Sequence, residues 1–228
     1  MTFPRTLSRF ALEASSDFPV LLVTGARQVG KTTLLQALRE PARRYVTLDD
    51  PLVLRLARED PALFLQRFEP PVLIDEIQYA PELLPHIKMA VDRAHRPGMF
   101  WLTGLQPFHL MQGVSESLAG RVAVVQLLGF SRREAERKGQ ETVPPFLPTE
   151  AALNVRRVTA APLDVQEVYE LIWRGSFPAM TANPQMGRDL FYGSYLQTYV
   201  QRDVRDLARV GDEMAFLRFV RAAAARTG

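Results

Sequence analysis

Eight consecutive residues, Gly25-Ala26-Arg27-Gln28-Val29-Gly30-Lys31-Thr32, constrain the fold more than any other stretch of the chain. They satisfy the phosphate-binding-loop pattern of two glycines separated by four residues, followed by lysine and a hydroxyl residue. That loop needs a buried strand before it and a helix starting at its lysine. The apolar run Pro19-Val20-Leu21-Leu22-Val23-Thr24 reads as the strand, and Thr32–Leu38 as the helix. The glycines let successive backbone N–H groups curl around a phosphate, and the helix N-terminus adds the positive end of its dipole. The cradle is expected to comprise Gly25, Ala26, Arg27, Gln28, Val29, Gly30, Lys31, Thr32 and Thr33. Lys31 is expected to reach the β- and γ-phosphates and Thr32 to hold Mg²⁺ through its hydroxyl.

Composition bounds the rest. At 228 residues, 47% of them hydrophobic, the chain has room for one large domain or one domain plus a smaller piece, with a real core. The net charge of +3 tolerates nucleic acid nearby without requiring it, since phosphate binding itself needs local positive charge. Without a single cysteine there is no disulfide, thiolate nucleophile or cysteine–zinc site, and a reducing cytoplasm is the expected setting. No membrane span or signal peptide is read, and His86, His95 and His109 lack metal spacing.

Short apolar strands alternate with helical stretches. A helix is expected over Leu7–Phe18 and strands over Arg43–Leu48, Pro71–Asp75, Gly98–Thr103 and Val122–Leu128. Asp50-Pro51 and Asp60-Pro61 each read as a cap followed by proline at the first helical position. Further helices are expected over Pro85–Ala94 and, shorter, Ser115–Ala119. This alternation predicts a parallel sheet covered on both faces. Gly139, Pro144, Pro145, Pro148 and Pro162 break regular structure, so 139–162 reads as a loop or linker. Beyond it the pattern is helical, over Val165–Trp173, Gly187–Leu207 and Glu213–Arg226. The expected organisation is therefore a nucleotide-binding core over 1–138, the linker, and a helical region over 163–228.

Hydrolysis needs a second acidic site and a group to polarise water. Val72-Leu73-Ile74-Asp75-Glu76 ends an apolar strand on two carboxylates, where open α/β sheets bind ligands. Asp75 is expected to serve the Mg²⁺ shell and Glu76 to act as general base. The strand ending Leu102-Thr103-Gly104-Leu105-Gln106 is expected between the other two. Thr103 or Gln106 there either contacts water or the γ-phosphate, or simply ends a strand. Arg121, after Ser117-Leu118-Ala119-Gly120, either projects into a neighbouring subunit's site to stabilise transition-state charge or is a surface arginine beside a turn.

Taken in order, these motifs resemble a bacterial family of AAA-type ATPases joined to a C-terminal domain of unknown function. Gly25–Thr33, Thr47-Leu48-Asp49-Asp50-Pro51, Leu73–Gln78, Leu102–Gln106, Ser117–Arg121, Gly175-Ser176-Phe177-Pro178 and Tyr199–Val204 carry the resemblance. It implies a three-layer α/β P-loop NTPase sandwich with a parallel five-stranded sheet in the AAA-like order 5-1-4-3-2, a helical lid, and ATP or ADP with Mg²⁺. Two positions depart from the family's pattern, Leu105 where serine is usual and Ser176 where glycine is usual. The former shifts weight for phosphate sensing to Thr103 and Gln106. The stretch from Phe216 to Gly228 resembles the opening of the family's C-terminal domain, so the chain is expected to be a fragment.

The leading expectation is a cytoplasmic ATPase that couples hydrolysis to movement of the helical C-terminal region, as a homo-oligomer if Arg121 acts in trans. A second is a nucleotide-dependent switch with little turnover that presents a DNA- or protein-binding surface. Arg132, Arg133, Arg137 and Lys138 form a basic run that either contacts phosphates or is a solvated helix face. A small-molecule kinase shares the loop but has no use for a water-activating Glu76.

Overall fold

A computed structural model describes residues 3–105, 108–141, 147–159, 162–199 and 213–227. The chain forms two compact units, Met1–Ala182 and Asn183–Gly228.

The first unit is built on five parallel strands, β1 (Val20–Thr24), β2 (Arg44–Thr47), β3 (Val72–Asp75), β4 (Phe100–Gly104) and β5 (Val122–Gln126), in the spatial order β2-β3-β4-β1-β5. The fold is thus the α/β P-loop sandwich, and β4 lies between β1 and β3. Every residue of the central strands β1, β3 and β4 is buried, as strands covered on both faces must be, whereas the edge strands are only partly covered. Strand periodicity sorts their side chains into two cores. Leu22, Ile74 and Leu102 face one way, among residues of α3 (Pro51–Glu59), α4 (Pro61–Arg67), α5 (Leu83–Ala94) and α6 (Phe108–Leu118). Leu21, Leu73 and Trp101 face the other, against α1 (Leu7–Asp17) and α2 (Lys31–Leu38). Trp101 is anchored there by its indole N–H, which donates to Ser15 Oγ at 2.7 Å.

Local signals set the helix starts. Asp50 accepts from the backbone N–H of Leu52 and Val53 ahead of α3, and Asp60 accepts from Leu63 N at 2.9 Å ahead of α4, each with proline next in sequence. Two expectations are corrected. The short helix expected at Ser115–Ala119 begins at Phe108, because Gly113 does not stop a helix whose flanks continue it. The stretch read as loop contains α8 (Glu150–Thr159). Its glycine and prolines lie outside the helix, and Thr149 Oγ1 accepts from Ala152 N at 3.3 Å to start it. Among the described residues this unit also contains the α-helices α7 (Arg132–Ala135), α9 (Val165–Arg174) and α10 (Pro178–Ala182).

The second unit contains α11 (Arg188–Tyr199) and α12 (Glu213–Thr227). Phe191 meets Tyr192 edge-on at 5.1 Å and stacks on Tyr195 at 6.3 Å. Residues 200–207 of the expected helix, and most of the Tyr199–Val204 motif, lie outside the described residues.

Candidate active site

The loop between β1 and α2 adopts a conformation that its glycines make possible. Gly25 has φ +148°, and a Cβ on it would stand 2.2 Å from the Leu127 carbonyl oxygen. Gly30, at φ +91°, hands the chain to α2 without a side-chain cap. Gly25→Ala therefore combines a backbone clash with a strained φ and is expected to cost more than about 2 kcal/mol of stability. A thermal melt of the variant checks this. Lys31 is 5% exposed, and its Nζ donates to the Gly25 and Ala26 carbonyls at 3.1 and 2.9 Å, holding the loop closed on its own ammonium. Arg27, half-buried on the loop, donates to Tyr79 Oη at 3.4 Å.

The Asp75 carboxylate at the end of β3 meets Thr32, the residue that follows the loop lysine. Thr32 Oγ1 donates to Asp75 Oδ1 at 2.7 Å. Thr103 Oγ1, fully buried at the end of β4, donates to the same oxygen and accepts from the Glu76 backbone N–H at 3.0 Å. One hydroxyl thus fixes Asp75 and Glu76 together. Tyr45 Oη, from β2, donates to Asp75 Oδ2 at 3.2 Å. Burial, then the adjacent Asp75 charge, pushes the Tyr45 phenol above its ordinary pKa, so it remains a donor. Glu76 sits in the left-handed region, φ +62°, at the turn into a short 3₁₀ helix, Ile77–Tyr79. Gln78 on that helix donates through Nε2 to Glu76 Oε2, while its Oε1 accepts from Leu105 N at 3.3 Å.

Beside the loop lies a cavity of about 580 Å³ whose lining includes Phe3, Val29, Thr33, Leu34, Phe130 and Pro178. Phe3 and Phe130 pair at 4.9 Å, and Arg137 and Arg5 lie over them at 4.4 and 4.7 Å. Buried Arg5 forms an ion pair with Glu134 of α7 at 3.1 Å. Burial alone would raise the Glu134 pKa; hydrogen bonds from Ser131 N and Thr6 N, together with Arg5, outweigh it and hold the carboxyl below its ordinary value of 4.5. Its charge therefore stabilises the fold in full above about pH 4.5, and that stabilisation is lost as pH falls through the lowered value. The gap in melting temperature between wild type and Glu134→Gln is expected to be constant above that pH and to narrow below it.

The structure thus brings Lys31, Thr32, Asp75, Glu76 and Thr103 into one site. It does not bring Arg121 there. Arg121 precedes β5, and its carbonyl accepts from Val20 N, at the opposite end of β1 from the loop. Five strand residues at about 3.3 Å each separate the two ends by roughly 16 Å. Its guanidinium grips Asp92 of α5 in a forked pair, with Nη2 to Oδ2 at 3.1 Å, and this keeps the Asp92 carboxyl below its ordinary pKa. Gln106 lies outside the described residues. The basic run is partly neutralised: Arg132 and Lys138 both reach Glu136, and Arg133 reaches Glu141.

Sequence reasoning missed Tyr45, Gln78, Phe3, Phe130, Arg5 and Glu134. Ser131 and Glu134 could have been found, since their three-residue spacing is that of a capping box, and both halves of one are present.

The residues present suit Mg²⁺. A hydroxyl and a carboxylate stand side by side as hard oxygen donors, and among the described residues no cluster of three or more acidic, histidine or cysteine side chains offers a full cage. Mg²⁺ takes such partial sites and completes its shell with water and phosphate oxygens. Among the described residues no helix is long and apolar enough to cross a membrane.

A family model described as an AAA domain matches residues 17–136, and one described as a domain of unknown function (DUF8612) matches residues 165–228. Uncharacterized proteins of Mycobacterium bovis and Mycobacterium tuberculosis are each 32% identical over 192 residues, covering 83% of this chain and 37% of the relative. The chain thus spans little more than a third of their length. Solved structures similar to part of it include the Thermotoga maritima RuvB Holliday junction branch migration motor, with a TM-score of 0.38 at 20% identity over 57% of this chain and 46% of that one. Another is Hsp104 in a closed state with ATPγS and FITC-casein, with a TM-score of 0.33 at 18% identity over 57% and 30%.

Proposed function

This chain belongs to the AAA-domain family, and we propose that its activity is the Mg²⁺-dependent hydrolysis of ATP to ADP and phosphate. The observation that carries this reading is the joined set Thr32–Asp75–Thr103–Glu76 set against the phosphate-binding loop. A phosphate site alone would need only the loop; the paired carboxylates give water a base.

The loop amides and the start of α2 receive the phosphates, and Lys31 exchanges the Gly25 and Ala26 carbonyls for β- and γ-phosphate oxygens. Thr32 and Asp75 would hold Mg²⁺, which when bound neutralises charge on those oxygens. The aromatic cavity beside the loop accepts the nucleoside, its apolar walls suiting a flat base. Glu76 takes a proton from water as the water oxygen bonds to the γ-phosphorus. The bond from that phosphorus to the β–γ bridging oxygen breaks, ADP leaves with the oxygen, and the proton passes on to the phosphate product. Thr103 acts as a positioning residue for the Asp75 carboxylate and the Glu76 backbone. Arg121, too far from its own loop, serves only the site of another copy, which makes a homo-oligomer part of the proposal. So is coupling of hydrolysis to movement of the helical C-terminal region.

One observation favours a second reading, a nucleotide-dependent switch with little turnover. The Gln78 amide occupies a carboxylate oxygen of Glu76 that a general base would turn toward water. Equilibrium binding of a fluorescent ATP analogue and single-turnover phosphate release, each with Mg²⁺ and with EDTA, separate the two. Binding with Mg²⁺-dependent release supports the ATPase. Binding without release supports the switch, and no binding overturns both.

A further inference from the structure

We infer that Arg5 is a positioning residue for the phosphate-binding loop, set by Glu134, so that the N-terminal segment and α7 together fix the affinity of the site for nucleotide. The inference rests on the nucleotide-binding reading above and adds to it a residue outside the loop, β3 and β4. Arg5 is 6% exposed, and its guanidinium ties the N-terminal segment to three other stretches of chain. Its Nε donates to Glu134 Oε1 at 3.1 Å, Nη1 to the Val29 carbonyl at 3.0 Å, and Nη2 to the Leu128 carbonyl at 2.6 Å. Its face covers Phe130, which lines the cavity beside the loop.

The Val29 contact is the informative one. In a planar trans peptide the carbonyl and the following N–H point in opposite directions. Holding the Val29 oxygen against Arg5 therefore turns the Gly30 N–H away from Arg5, one residue before Lys31. Gly30 has no side chain to hold that peptide plane, and its φ of +91° belongs to a conformation that glycine can leave without steric penalty. The plane is held from outside, by a guanidinium whose fork geometry fixes direction as well as distance.

Glu134 in turn fixes the fork. Its Oε1 accepts from Thr6 N at 2.8 Å as well as from Arg5, and its Oε2 accepts from Ser131 N at 2.8 Å. A buried ion pair contributes little net stability over an apolar pair, but it specifies geometry. Here the specified geometry includes a carbonyl of the phosphate cradle.

The test compares wild type, Arg5→Lys and Glu134→Gln for affinity to a fluorescent ATP analogue, KM and kcat for phosphate release, and melting temperature without nucleotide. Arg5→Lys keeps the charge but loses the fork. It is expected to weaken analogue binding and raise KM about tenfold or more, with kcat at saturation within about threefold of wild type. Glu134→Gln keeps the shape of the side chain and is expected to weaken binding about threefold; it also serves should the lysine variant fail to fold. Lowered melting temperatures with unchanged affinity in either folded variant would make the pair merely structural and overturn the inference. Wild type that binds no nucleotide would overturn the functional reading, and the inference with it, whereas wild-type binding matched by both variants overturns the inference alone.

Discussion

Replacing Lys31 with alanine is expected to weaken ATP binding by about 100-fold or more, equivalent to roughly 2.7 kcal/mol, and to reduce hydrolysis at ordinary ATP concentrations to background. A hydrogen bond involving a charged group contributes about 1.5–3 kcal/mol, and this ammonium is placed to meet phosphates that carry several negative charges. Lys31 also has a task in the free protein, since its Nζ holds the Gly25 and Ala26 carbonyls. Alanine leaves both without that donor. The melting temperature of the nucleotide-free variant should therefore fall by a few degrees, which is larger than an exposed lysine would cause. The two effects are separable. Binding is read by titration with a fluorescent ATP analogue, and the loop's own stability by a melt without nucleotide. A variant that binds ATP like wild type would remove the loop from the site altogether, whatever its stability.

The loop and the carboxylate pair were legible because each is written locally. A phosphate-binding loop needs its glycines within a few residues, Gly25 has no alternative beside the Leu127 carbonyl, and an apolar run ending in Asp75-Glu76 announces a central strand. The strand order followed from the resemblance of the motifs in sequence order. What was not legible is long-range and polar. Arg5 and Glu134 are 129 positions apart, and nothing around Arg5 marks a buried guanidinium. Tyr45 reaches Asp75 from a neighbouring strand, and a tyrosine there satisfies strand propensity before it suggests a hydrogen bond. Gln78 follows a strand in a short 3₁₀ turn, where no periodicity points a side chain back at Glu76. Arg121 was legible as the residue before β5, but its grip on Asp92 was not. Helix α8 was hidden for a different reason: the breakers on either side outweighed the ten residues between them.

Changing Glu76 to glutamine should separate binding from chemistry. The substitution removes one negative charge and the basic oxygen while keeping the side chain's length, and its carbonyl oxygen can still accept from the Gln78 amide. The backbone at Glu76, in the left-handed region and tied through its N–H to Thr103 Oγ1, makes no demand that glutamine fails to meet. Nucleotide affinity is therefore expected within about threefold of wild type, since neither the loop nor the Thr32–Asp75 pair is touched. Turnover is expected to fall by about 100-fold or more, because a positioned general base contributes roughly 10²–10⁴ to rate. Single-turnover phosphate release with saturating ATP measures this without interference from product release. A variant that hydrolyses ATP at the wild-type rate would remove Glu76 from the role of base. Loss of binding along with turnover would instead mean that Glu76 supports the nucleotide site itself, through the Thr103 hydroxyl that it shares with Asp75.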